Sequence, residues 1–260
     1  MKTFQLTFPS LSRSFFACLL LGSFALGFSG CSKDDDDDDN NNTAPTASNI
    51  PPLNDADGVL VAVETKTTVS QFGFTYEQLF GTGVAAFYNS PGATTFVDAG
   101  TVSVDDSILQ KQTNNSYVWT PQSATNIEGI DFGYPVNWEV TGAGSIPSIT
   151  KSVTTGFPDL DTITSATNNI SSNSSYTLSV ADVSNADSVI FQIATAQGNK
   201  LVTRPGNTTS YTFSASDMQA LGSGSGIIQV AAYNFTWDTY SGKKIYFINE
   251  QVVTKTVNIQ

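Results

Sequence analysis

Histidine does not occur anywhere in the 260 residues. Its absence removes Ser-His-Asp and Cys-His catalysis, imidazole-ligated zinc and the commonest general base. Cysteine is almost as scarce. Cys18 and Cys31 both lie near the N-terminus, so the body of the chain has neither a disulfide nor thiol chemistry. Lys and Arg total 11 against 23 Asp and Glu, a formal charge of -12. The bases are scattered and form no stripe that could neutralise phosphates, which argues against a nucleic-acid partner. No apolar run reaches the ~20 residues of a membrane-spanning helix. An enzyme made from this chain would have to work with carboxylates, Ser, Lys, Tyr or a hard cation. The expectation is therefore no enzyme, no cofactor and no metal site.

What is present is most specific near the start. Lys2 and Arg13 give a basic opening, and Phe15 to Phe28 is a 14-residue apolar run that ends in small residues before Cys31. This is the layout of a secretory signal. Phe28-Ser29-Gly30-Cys31 resembles the lipobox of bacterial lipoproteins, with Phe28 where leucine is usual. The resemblance implies removal of residues 1–30 and lipid on Cys31. Each buried CH₂ contributes about 0.8 kcal/mol, so more than one acyl chain holds such a protein stably on a bilayer.

Ser32 and Lys33 are followed by Asp34, Asp35, Asp36, Asp37, Asp38 and Asp39. The run resembles the export tether of Bacteroidota surface lipoproteins. That likeness implies an outer membrane lipoprotein facing the cell exterior, with the membrane as a partner through the anchor. Adjacent aspartates repel one another and favour an extended, hydrated spacer. Residues 31–56 are read as an acidic, Asn/Thr/Pro-rich linker, expected to be disordered.

From Gly58 onward apolar residues recur with period two. Val59-Val61-Val63, Val102-Val104, Tyr117-Trp119 and Val136-Trp138-Val140 are followed by Tyr176-Leu178-Val180, Val189-Phe191-Ile193, Tyr211-Phe213, Ile228-Val230-Ala232 and Ile245-Phe247. Turn residues separate them, as at Ser90-Pro91-Gly92, Asn114-Asn115 and Ser241-Gly242. Short helical turns are expected only at Thr75–Gln78 and Ser216–Gln219, each ended by a glycine. The pattern predicts an all-β fold of two tandem β-sandwich domains, residues 57–156 and 175–260, joined by a Pro/Asn/Ser-rich segment at 157–174. The second is similar in architecture to an immunoglobulin-like or fibronectin-like sandwich without its cysteine pair.

The richest candidate patch is the last hairpin. Alternation sets Tyr233, Phe235 and Trp237 on one strand face, with Tyr240 near the turn and Tyr246 across it, while Ile228, Val230 and Ala232 take the other face. Turned outward, the rings would form a platform for a sugar or a partner protein; turned inward, they would be core. Asp106-Ser107-Ile108, Asp161-Thr162-Ile163 and Asp187-Ser188-Val189 match the Asp-Ser/Thr-aliphatic pattern that the Bacteroidota likeness associates with O-glycosylation, making Ser107, Thr162 and Ser188 candidate acceptors. Asp55/Asp57, Asp105/Asp106 and Asp159/Asp161 could act as calcium-loop ligands, but turn chemistry and solvation explain them more simply. Glu128, Asp131 and Glu139 are candidate glycosidase carboxyls.

Three functions follow. The leading one is a non-catalytic module on the cell surface that binds a glycan or an envelope or surface protein. The alternatives are a carboxylate-based polysaccharide hydrolase and a structural coat protein.

Overall fold

The computed structural model describes residues 53–71, 74–121 and 129–260. The signal segment, Cys31, the acidic tether and Glu128 lie outside the described residues. A 3₁₀ turn at Leu53–Asp55 leads into β1 (Gly58–Gln71) and β2 (Phe74–Phe87). Short strands follow: β3 (Val102–Val104), β4 (Ser107–Ile108), β5 (Gln110–Lys111), β6 (Tyr117–Val118), β7 (Val136–Val140), β8 (Ile149–Val153) and β9 (Asp159–Leu160). The C-terminal part contains β10 (Tyr176–Ser179), β11 (Val183–Ser184), β12 (Ser188–Thr195), β13 (Asn199–Pro205) and β14 (Ser210–Phe213), then helix α1 (Ala215–Leu221). Two long strands, β15 (Gly224–Tyr240) and β16 (Lys243–Ile259), complete the chain.

The fold is all-β, as the alternation predicts, and its organising feature is one eight-stranded sheet in the order β13-β12-β15-β16-β1-β2-β6-β5. Strands from both expected sandwich domains belong to it. They meet where β1 runs parallel to β16, from Gly58 opposite Ile245 to Lys66 opposite Val253. The two sandwich-like packings are therefore laid side by side on a shared sheet.

On one side, face A, the four-stranded sheet β4-β3-β7-β8 covers β1, β2 and the start of β16. Leu60, Ala85, Phe87 and Phe247 meet Val104, Val136, Trp138 and Ile149 there. Further along face A, β9–β11, β10–β14 and α1 cover β12, β15 and the end of β16, closing a second core around Phe191, Val230, Leu178 and Met218. A third core lies on the opposite side, face B, and gathers Val59, Val61, Val84, Ala231, Tyr246 and Ile248. Burial on both faces explains why β1, β2 and β16 have near-continuous apolar runs instead of clean alternation.

Helix content matches one of the two expected turns. Ser214, rather than Ser216, caps α1, accepting from Asp217 N while Asp217 accepts from Ser214 N, and Gly222 ends the helix. Thr75–Gln78 is not helical. It lies in β2, zipped antiparallel to β1 from Gly58–Phe87 to Gln71–Phe74. Fourteen paired residues outweigh one local capping signal.

Candidate functional site

A cavity of about 450 Å³ opens on the outer face of the β3–β7–β8 sheet. Alternation builds it. Val136, Trp138 and Val140 point into the core, leaving Asn137 and Glu139 outward. Register then aligns Ser103, Glu139 and Thr150 in one row and Asn137 with Ser152 in the next.

Asp105 and Asp106 form the tight turn between β3 and β4, with φ of 40° and 60°. Asp tolerates this left-handed region better than most residues, and such a pair suits a two-residue hairpin. The Asp105 carboxylate then reaches across. It accepts from Gly133 N at 3.0 Å, Asn137 N at 2.8 Å and Asn137 Nδ2 at 3.2 Å. Ser152 Oγ donates to Asn137 Oδ1 at 2.7 Å. Asp105 and Asn137 thus frame the groove. The side chains of Asp106, Asp131 and Glu139 line it.

The far wall is set by a close backbone approach. Ile130 N donates to Gly81 O at 2.8 Å. A Cβ on Gly81 would lie 1.9 Å from Ile130 O, so only glycine lets the 129–133 segment dock on β2. Next in the chain to the lining residue Gly133, Tyr134 is 75% exposed and its hydroxyl donates to Thr154 O at 2.9 Å. The ring is therefore held in place while its faces meet solvent.

Lys151 is the one cation in the lining, and Asp238 engages it at 2.7 Å. Its partner holds Asp238 below the usual carboxylate range, chiefly through that hydrogen bond. The groove is therefore polar and electronegative. Among the described residues no group of three or more His, Cys, Asp or Glu side chains is placed to hold a metal ion.

Glu64, a residue the sequence reading did not single out, is half-buried on β1. Burial raises its carboxyl above the ordinary value, against a hydrogen bond from Gln251 and the charge of Lys66, and nearby Asp131 raises it further. No local motif marks Glu64. Its environment comes from β16 and the 129–133 segment.

The last hairpin does not present five exposed rings. Tyr233 and Tyr246 are buried, Phe235 is half-buried on face B, and Tyr240 turns to face A against Phe247. Trp237 alone is exposed, at 51%, and Lys244 Nζ lies 4.4 Å from its ring centroid. Lys244 is fixed in turn by Asp55 at 2.6 Å, and Lys243 bonds Asp57 at 3.1 Å. Asp55 and Asp57 thus clasp the chain entry to the hairpin, which accounts for both carboxylates without calcium.

Of the three glycosylation candidates, Ser107 is partly exposed beside the exposed Ile108, and Thr162 is partly buried at a second cavity of about 180 Å³. Ser188 is fully buried in β12, out of reach of a transferase once the chain has folded. Asp159 is exposed, and Asp161 accepts from Thr162 N at 2.6 Å. Trp119 and Trp138 are core residues.

No protein-family model matches the chain, and no curated protein matches it in sequence.

Proposed function

We propose that this protein is a lipid-anchored recognition module of the outer cell surface, non-catalytic, whose groove binds a neutral glycan. The observation that carries this reading is the pairing of a polar groove with a pinned, exposed ring. Hydroxyls of Ser103, Thr150 and Ser152 and the acids Asp106, Asp131 and Glu139 offer donors and acceptors for sugar hydroxyls. Tyr134 offers a flat apolar face whose orientation costs little further entropy on binding. The acids repel uronic and sulfated sugars. The membrane anchor rests on the Phe28–Cys31 likeness, and no helix among the described residues is long and apolar enough to cross a membrane.

The test is binding of the full chain to a panel of neutral and acidic polysaccharides by affinity electrophoresis. Tyr134→Ala, at an exposed site, is expected to weaken binding to a neutral glycan about fivefold, the value of ~1 kcal/mol of ring stacking. Equal binding by the variant, or preference for acidic polysaccharides, contradicts the reading.

One observation favours a hydrolase instead. Glu64, raised by burial and coupled to Asp131, has the character of a general acid beside a second carboxylate. Release of reducing sugar that is lost in both Glu64→Gln and Asp131→Asn would establish that chemistry. Asp131 and Glu139 themselves are exposed, unlike a desolvated catalytic acid.

A further inference from the structure

Face B carries a carboxyl that neither the groove nor the entry clasp uses. Glu250 lies midway along β16 and is 1% exposed. Its cross-strand neighbours are Tyr233 on β15 and Val63 on β1, and the same row continues to Ser188 on β12 and Thr82 on β2. All five are buried. Glu250 Oε1 has no hydrogen-bond partner among the described residues.

The charged and titratable groups around it are few. From β15 comes Tyr233, whose hydroxyl bonds with Ser188. From β12 comes Ser188, and just before that strand Asp187, which accepts from Phe235 N at 3.1 Å. β1 turns Val59, Val61, Val63 and Thr65 toward face B, none of them titratable. Glu64 and Lys66 point to face A, where they bond Gln251 and Leu160 O. β2 supplies Thr82, whose hydroxyl donates to Trp119 O. Among the described residues no cation faces Glu250.

Its position in the sheet gives this a consequence. Among the described residues the parallel β1–β16 ladder is the only one joining the β1-β2-β6-β5 side to the β13-β12-β15-β16 side. The Val63–Glu250 pair sits inside it. A neutral acid there costs one imperfectly satisfied polar group, whereas a carboxylate costs an uncompensated buried charge. Burial pushes the Glu250 carboxyl up to about 8.

We propose that Glu250 is a proton-operated latch on this seam. The protonated acid lets β1 and β16 lie together, and release of its proton to water loosens the two halves of the sheet from one another. The closed seam holds the proton more tightly than an opened one, so rising pH favours opening and falling pH favours closure.

Hydrogen exchange on the full chain between pH 5 and 9, corrected for the intrinsic rate, tests this directly. Protection at Val61–Glu64 and Asn249–Gln251 is expected to fall about tenfold per pH unit between about pH 5 and 8, the linkage of one proton. Protection in β7 and β12 is expected to hold steady, and Glu250→Gln to remove the pH dependence at the seam. A carbon-13 titration of the wild-type carboxyl, which does not depend on a variant folding, is expected to show a midpoint well above 4.5. A midpoint near 4.5, unchanging seam protection, or a fall spread equally over every strand overturns the latch.

Discussion

Asn234 and Asn249 face each other across the β15–β16 ladder, and both donate side-chain amides to the segment that crosses between the two face-A cores. Asn234 Nδ2 bonds Gly156 O at 3.0 Å, and Asn249 Nδ2 bonds Thr155 O. Asn234 also accepts from Asp187 N at 3.0 Å, whereas Asn249 Oδ1 is buried without a partner. Asn234→Ala should therefore be the costlier change, about 2 kcal/mol in urea unfolding, with Asn249→Ala about 1 kcal/mol or less. Equal costs would show that the Asp187 contact contributes nothing.

Glu250 fixes a pH dependence of stability. Its folded value, about 8, lies above the ordinary 4.5, so the folded chain holds more protons than the unfolded chain between those values. Stability attributable to this group is fully present below about pH 4.5, declines as pH rises, and levels off above about 8. Glu250→Gln should flatten the slope and add ~3 kcal/mol at pH 7, measured by denaturant titration at several pH values. A variant less stable than wild type at pH 8 would contradict this.

Tyr117 bridges two elements through its hydroxyl, accepting from Ala99 N at 2.8 Å and donating to Asp98 at 2.8 Å. Burial, together with Asp98, pushes the phenol up to about 12. Tyr117→Phe leaves the buried Ala99 N–H unpaired and should cost about 1–3 kcal/mol. A loss below about 0.5 kcal/mol would mean that water or a shifted loop replaces the oxygen.

Gly81→Ala should move the groove wall. Its new methyl would meet Ile130 O, so the 129–133 segment must lift. The expected result is a melting temperature several degrees lower together with weakened glycan binding. Trp237→Ala, on an exposed hairpin, should leave both within error.

Much of this architecture is legible in the chain where one face is wet and one dry. Val136-Asn137-Trp138-Glu139-Val140 alternates because β7 does so in space. In Val84-Ala85-Ala86-Phe87 both faces are covered, so period two disappears and β2 passes unnoticed. The shared sheet is hidden for a different reason. Gly58 and Ile245 are far apart in sequence, and no local pattern announces a parallel partner. The same holds for the groove. The Asp105-Asp106 turn can be read directly, but its bonds to Gly133 and Asn137 depend on tertiary register. Ser188 fits a short modification motif, and only the fold reveals that it is sealed inside β12.

The anchor has its own test. Cys31→Ser should shift the protein from the membrane to the soluble fraction of its host, whereas unchanged fractionation would dismiss lipid on that residue.

The central claim is the location of recognition, and amide chemical-shift mapping with a neutral oligosaccharide tests it most directly. The account predicts perturbations concentrated at Asp106, Gly133, Asn137, Glu139 and Ser152, with little change from Trp237 to Lys244. Perturbations centred on Trp237, or none with any neutral glycan, would contradict it.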